Sequence, residues 1–218
     1  MMASGKLQAL CYKHEIEKTL RTPDYAGFQL LALNDYSGQG TALVGVLDVF
    51  FEEKGYINAE QFRRFCSPTV PLARIPKFVY ANNETFHADI EVSHFGATPL
   101  KSAKTVYTIK DKFGKVYAHG TVGTHHIPIG NLYSLGSVDM TLEAIDTPQK
   151  LNLEVRIEGS DAVNDWNFWV YPAQVELVQG TVYTTDTLDA KALAVLQDGG
   201  NGCLLYTSDA ADDTPCVD

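Results

Sequence analysis

The chain has 218 residues, of which 45% are hydrophobic and 20% charged, a globular composition that suits one or two domains, each able to bury a core. Its formal net charge of −10 repels phosphate backbones, and Lys and Arg are scattered with no aromatic-interleaved basic stripe, so nucleic acid is not an expected partner. No apolar run is long enough to span a bilayer, and the opening residues from Met1 to Lys6 contain no apolar stretch of the signal-peptide kind.

In chain order, Gly5 to Leu20 reads as a helix with Leu7, Leu10, Cys11 and Ile16 mostly on one side and Lys13–Glu17 as an i,i+4 charge pair. Pro23 ends it, because the residue before proline avoids the helical region. Gly27 to Leu33 follows as a nearly continuous apolar run, the pattern of a strand buried on both faces in a parallel sheet or barrel. A polar, glycine-punctuated loop from Asn34 to Gly40 comes next, and in α/β folds such loops after a strand's carboxyl end carry the site. Asn58 and Gln61 form a capping-box pattern for another helix, closed by Ser67-Pro68. Pro68, Pro71 and Pro76 then mark a domain boundary.

From Lys77 the texture becomes alternating. Phe78–Ala81, Phe86–Phe95, Ala103–Lys110, Val116–Val122, Tyr133–Leu142, Leu151–Glu158 and Trp166–Tyr171 read as strands separated by turn residues, the strand count of an immunoglobulin-like sandwich without its disulfide. Its expected core takes Ile90, Val92, Val106, Leu153, Val155 and Phe168. Val175–Thr184 reads as a further strand and Asp186–Gln197 as a helix ended by Gly199-Gly200, the opening of another α/β domain. Cys11, Cys66, Cys203 and Cys216 form no Cys-x-x-Cys pair and have no His-x-x-x-His beside them, so no metal site is expected; Cys11 and Cys66 fall in apolar helical patterns as small core residues.

Two stretches carry resemblances. Lys13-His14-Glu15-Ile16-Glu17 through Leu20-Arg21-Thr22-Pro23, the run Gly27-Phe28-Gln29-Leu30-Leu31 and the segment Asn34 to Asp48 resemble glycoside hydrolase family 2 of the type common in gut Bacteroidetes, and Asp165 to Pro172 resembles the end of the sandwich in the same proteins. The resemblance covers roughly residues 5–200. It implies a mixed α/β fragment: the end of a TIM barrel, with one strand and its flanking helices, over residues 1–75, then an all-β immunoglobulin-like sandwich over 76–173 and the start of a further α/β domain over 174–202. Residues 203–218 resemble the peptide encoded when a sequencing adapter is translated in frame, which implies an artefactual tail.

A retaining glycosidase works with two carboxyl groups about 5–5.5 Å apart. The resemblance implies two glutamates at the ends of barrel strands four and seven, upstream of this chain, so no catalytic residue, cofactor or metal is expected within it. The implied parent enzyme acts on a glycan in the periplasm or outside the cell. Asn34, Asp35, Tyr36 and Gln39 are the candidate substrate-binding residues, with Asp35 and Gln39 bonding sugar hydroxyls and Tyr36 stacking; the alternative is that Asn34 and Asp35 cap backbone groups of the loop. Leu30 and Leu31 stand where β-galactosidases of the family place a Trp. Trp166 and Trp169 read as a carbohydrate platform or as sandwich core, and His125-His126, pointing to opposite faces, as a solvated turn rather than a metal site. The second functional reading is a non-catalytic sandwich that binds carbohydrate or packs on a partner; in that case the Gly27–Leu33 run finds a strand partner within residues 77–172.

Overall fold

A computed structural model of the protein describes residues 2–25, 27–31, 33–36, 38, 43–175 and 182–205. The chain divides into two compact units, Met1–Ala173 and Gln174–Asp218. In the first, helices α1 (Met2–Leu20) and α2 (Ala59–Arg63) precede eight strands: β1 (Thr69–Arg74), β2 (Val79–Ala81), β3 (Thr85–His94), β4 (Leu100–Asp111), β5 (Val116–Ile127), β6 (Gly130–Thr141), β7 (Gln149–Ile157) and β8 (Val163–Tyr171). They form a β-sandwich of a three-stranded sheet, β1-β3-β6, and a five-stranded sheet, β2-β8-β7-β4-β5. All neighbours are antiparallel except β2 and β8.

Period-2 alternation builds the core. Phe86, Ala88, Ile90 and Val92 of β3 face Leu151, Leu153 and Val155 of β7 and Trp166, Phe168 and Val170 of β8, all fully or almost fully buried. Phe86 and Phe168 stack with ring centres 4.1 Å apart, joining the two sheets. Strand β6 changes phase partway. Leu135 is an extra residue between the pairs Ile90–Gly136 and Glu91–Ser134, and it points into the core. Gly136 makes the bulge at φ 126°, a conformation that side chains rarely adopt.

The expected strands from Phe78 to Tyr171 are present as β2–β8, and five of the six named core residues are wholly buried. Val106 is not: the inward set on β4 is Ala103, Thr105 and Ile109, so Val106 lies on the other face. Strand β1 takes in Pro71. It lies at a sheet edge, and the Pro71 carbonyl accepts from the Asn164 side chain rather than from β3. Its nitrogen therefore faces away from the ladder, where no N–H is required.

Corrections also fall in residues 1–58. No described residue of Gly27–Leu33 is in a strand; Leu31 is 91% exposed, and only the Leu33 carbonyl and Asn34 reach Leu47, in an isolated bridge. A strand apolar on both faces needs ladder partners and two covering layers, and neither is at hand. The α1 face is also different from the one expected. Gly5, Ala9, Ile16 and Glu17 are buried, while Leu7 and Leu10 are exposed, as is Cys11. The predicted capping box of α2 is formed, with Gln61 N donating to Asn58 Oδ1 at 2.8 Å and Asn58 N to Gln61 Oε1 at 3.1 Å.

Helix α1 lies against β1 and the part of β8 that β2 leaves unpaired. The Glu17 carboxylate, fully buried, takes Lys13 Nζ at 2.6 Å and Asn164 Nδ2 at 2.8 Å on one oxygen, and Arg21 Nη2 at 3.1 Å and Trp166 Nε1 at 3.0 Å on the other. Arg21 also donates to the Ala73 carbonyl, and Asn131 Nδ2 covers the carbonyls of Leu20 and Thr22 at the helix end. Gly5 allows close approach to Tyr56: a Cβ there would stand 2.4 Å from the ring.

In the second unit β9 (Val182–Thr185) pairs in parallel with β10 (Asn201–Leu204) across α3 (Ala190–Gln197), capped by Asp189. This is a small βαβ unit that takes in Cys203 and Leu204; the rest of the tail beyond Leu205 lies outside the described residues.

Glu17→Ala strands Lys13 and Arg21 without their anion, and removing one partner of a buried pair costs about 3–5 kcal/mol. The expected result is fast hydrogen exchange along α1 with the β3, β7 and β8 amides still protected. Equal loss of protection in helix and sheets would show that α1 belongs to the sandwich's own cooperative unit.

Candidate functional site

The loop after Leu33 is built around Asp35, which is 6% exposed. Its Oδ1 accepts from Gly45 N at 2.9 Å and from Lys54 Nζ at 2.7 Å, and Lys54 also donates to the Gly45 carbonyl. Tyr56 O–H bonds Gln8 of α1 and the Gly45 carbonyl, tying the loop to the helix; burial raises the Tyr56 phenol above its usual range. Asn34 Nδ2 donates to the Asp35 carbonyl. Tyr36 is 61% exposed, folded over Gly38. Asn34, Asp35 and Tyr36 thus sit together, with Asp35 turned to protein groups and Tyr36 to solvent; Gln39 lies outside the described residues. Lys54 is the member of this cluster that sequence reasoning missed, for it stands nineteen residues from Asp35 and only the folded loop makes them neighbours. Asp48 has a structural task as well: its Oδ1 accepts from the N–H groups of Phe50 and Glu52.

The two tryptophans part company. Trp166 is core, donating to Glu17, while Trp169 is 36% exposed on the outer face of β8. Glu154 and Asp165 face each other across β7 and β8, and Arg64 bridges both at 3.5 and 2.9 Å, which offsets the repulsion of like charges directly opposite. His125 and His126 lie within β5 rather than in a turn, His125 edge-on to Tyr133. Among the described residues no group of three or more His, Cys, Asp or Glu is placed to hold a metal ion, and no helix is long and apolar enough to cross a membrane. His94 is buried with both ring nitrogens engaged, by Thr69 Oγ1 at 2.8 Å and the Thr98 carbonyl at 2.9 Å. Burial pushes the Lys13 ammonium below its usual pKa, against the opposing pull of Glu17.

Residues 84–172, from the start of β3 to the end of β8, match the model of a family described as "Domain of unknown function (DUF8488)". No curated protein matches the chain. Similar solved structures include an alkylpurine DNA glycosylase of Pseudomonas fluorescens bound to DNA containing an abasic-site analogue, 11% identical with a TM-score of 0.38 over 48% of this chain and 31% of that one. The CARDB domain of a Pyrococcus furiosus protein in complex with di-metal ions is 14% identical with a TM-score of 0.34, over 48% of this chain and 93% of that one. A β-glucuronidase of Parabacteroides merdae is 13% identical with a TM-score of 0.35, over 55% of this chain and 17% of that one. The chain therefore spans less than a third of the glycosylase and less than a fifth of the β-glucuronidase. At these identities and scores the likeness says nothing of substrate or reaction.

Lys54→Met removes the cation from Asp35 and should weaken local closure of the loop by about 1–3 kcal/mol. Hydrogen exchange of the Gly45 amide reads this directly, and an unchanged rate would show that the pair does not hold the loop. A second expectation concerns pH. His87 Nδ1 meets Asp139 Oδ1 at 2.7 Å across β3 and β6, and this bond, helped by Asp89, raises the His87 pKa above its ordinary 6.5. A raised folded-state pKa stabilises below the unfolded value and loses that contribution as pH climbs through the folded one. The pair is 43% and 60% exposed, so the effect is at most about 0.5 kcal/mol. Urea midpoints should fall slightly above pH 6.5 in the wild type, and His87→Gln should flatten that slope.

Proposed function

We propose that this chain is a fragment of a glycoside hydrolase resembling family 2, with the two catalytic glutamates supplied by a barrel that residues 1–75 help to close. The 76–173 segment is then the immunoglobulin-like sandwich that buttresses it, 174–202 the start of the next domain and 203–218 an appended tail. The observation that carries this reading is the apolar run Gly27–Leu33, whose described residues find no strand partner within residues 77–172 and leave Phe28, Leu31 and Leu33 exposed. Leu43, Phe50 and Phe51 are exposed after it, and Leu7 projects from α1. So much apolar side chain in one stretch is the surface of a layer meant to be covered. In the assembled barrel Asn34, Asp35, Tyr36 and Gln39 follow the last strand on the catalytic face. Tyr36 is free to stack on a sugar, while Asp35, held by Lys54, sets the loop.

The second reading, a non-catalytic module, is favoured by one feature: α1 is fastened to the sandwich by buried polar bonds and needs no barrel to hold it there.

The upstream gene sequence, the association state and hydrogen exchange separate the readings. The chain by itself should hydrolyse no aryl glycoside above background, and the gene read upstream of the Met1 codon should encode a Glu at the end of a seventh barrel strand. The isolated chain should also bind an apolar dye and self-associate, with fast hydrogen exchange across Phe28–Leu31. A monomer with slow exchange in that segment, or an upstream sequence without barrel strands, would favour the module.

A further inference from the structure

A groove of about 660 Å³ runs between α1, α2 and the outer face of β8. Its size falls within the range of small-ligand sites. Trp169 and Phe78, 36% and 39% exposed, present aromatic surface there, and Leu10 faces them from α1. The charge balance is the reverse of the chain's. The whole protein has 17 Lys and Arg against 27 Asp and Glu, whereas the groove has Lys6, Lys13, Arg64 and Lys150 against Asp165 alone. Lys13 and Arg64 are already engaged, by Glu17 and by Asp165 with Glu154. Lys6 and Lys150 have no ion-pair partner among the described residues. Lys150 Nζ lies 5.9 Å from the centre of the Trp169 ring, and the two residues are direct cross-strand neighbours.

We propose that this groove binds an anionic oligosaccharide, one sugar stacked on Trp169 with its carboxylate or sulfate toward Lys150 and Lys6. A sugar ring has one face of C–H groups that suits an indole, and hydroxyls at its rim that need polar partners. Asn167 offers them: its Oδ1 accepts from Asn152, and its own amide N–H groups have no partner among the described residues. Both Asp165 oxygens already accept, from Arg64 and from Asn152, which leaves Lys6 and Lys150 as the charges facing a ligand in the groove. Asn34, Asp35 and Tyr36 do not line this groove.

Titration of the full chain, followed by tryptophan fluorescence and calorimetry, tests this. The probes are tetragalacturonate and a κ-carrageenan tetrasaccharide, which separate carboxylate from sulfate recognition, with maltotetraose as the neutral control and tetrathymidylate as the rival anion. Saturable binding of at least one acidic tetrasaccharide is expected, weakening as salt rises. Trp169→Ala should weaken it by about tenfold or more, and Lys150→Gln by about threefold. Both side chains lie on the outer face, so circular dichroism should stay native. No binding of either acidic sugar at about 10 mM, near the limit of specific recognition, would overturn the proposal. So would equal binding of maltotetraose, tighter binding of tetrathymidylate, or binding that Trp169→Ala leaves unchanged.

Discussion

Withdrawing a carboxylate such as Glu17 from water costs several kcal/mol when its charge goes unanswered. Here each oxygen meets one cation and one neutral donor, Lys13 with Asn164 and Arg21 with Trp166, so the charge is balanced and the lone pairs are used. Replacing such a network by apolar side chains is often no less stable, so its distinctive effect is to select one orientation of α1. That orientation has a consequence along the whole segment. With Gly5 turned to Tyr56 and Glu17 to the sheets, Leu7 and Cys11 face outward.

The sandwich can accept this helix because of its edges. β8 pairs with β2 only over Trp169–Tyr171, so its earlier residues present Asn164 and Trp166 at an open side of the core. Asn164 answers α1, the Pro71 carbonyl and the backbone N–H of Asp165 at once, closing the seam between the two sheets. Edge strands left open in this way invite pairing with other chains; a covering helix removes that liability.

The two surfaces with functional promise differ in kind. Around Asn34–Tyr36 the polar side chains are consumed by the loop's own closure, and the free material is apolar. In the groove beside Trp169 the aromatic surface is flanked by Lys6 and Lys150, which have no ion-pair partner among the described residues, and by the Asn167 amide.

Much of this architecture was legible from residue order alone. The strands from Phe78 to Tyr171, the Asn58–Gln61 capping box and the Lys13–Glu17 pair all rest on spacings of two, three or four residues, which local geometry dictates. What sequence could not decide depends on partners distant along the chain. Val106 turned outward because the inward phase of β4 is set by Ala103, Thr105 and Ile109, and Leu135 turned inward because Gly136 allows a bulge. Pro71 entered a strand because that strand became an edge. Asp35 became a loop anchor because Lys54 folds back to it. The face that α1 buries was set by Asn164 and Trp166, about 150 residues away, since burying Glu17 is affordable only where those donors already wait. The Gly27–Leu33 run shows the same rule from the other side: its composition calls for a buried strand, but a strand forms only where a neighbour supplies the other half of each hydrogen bond.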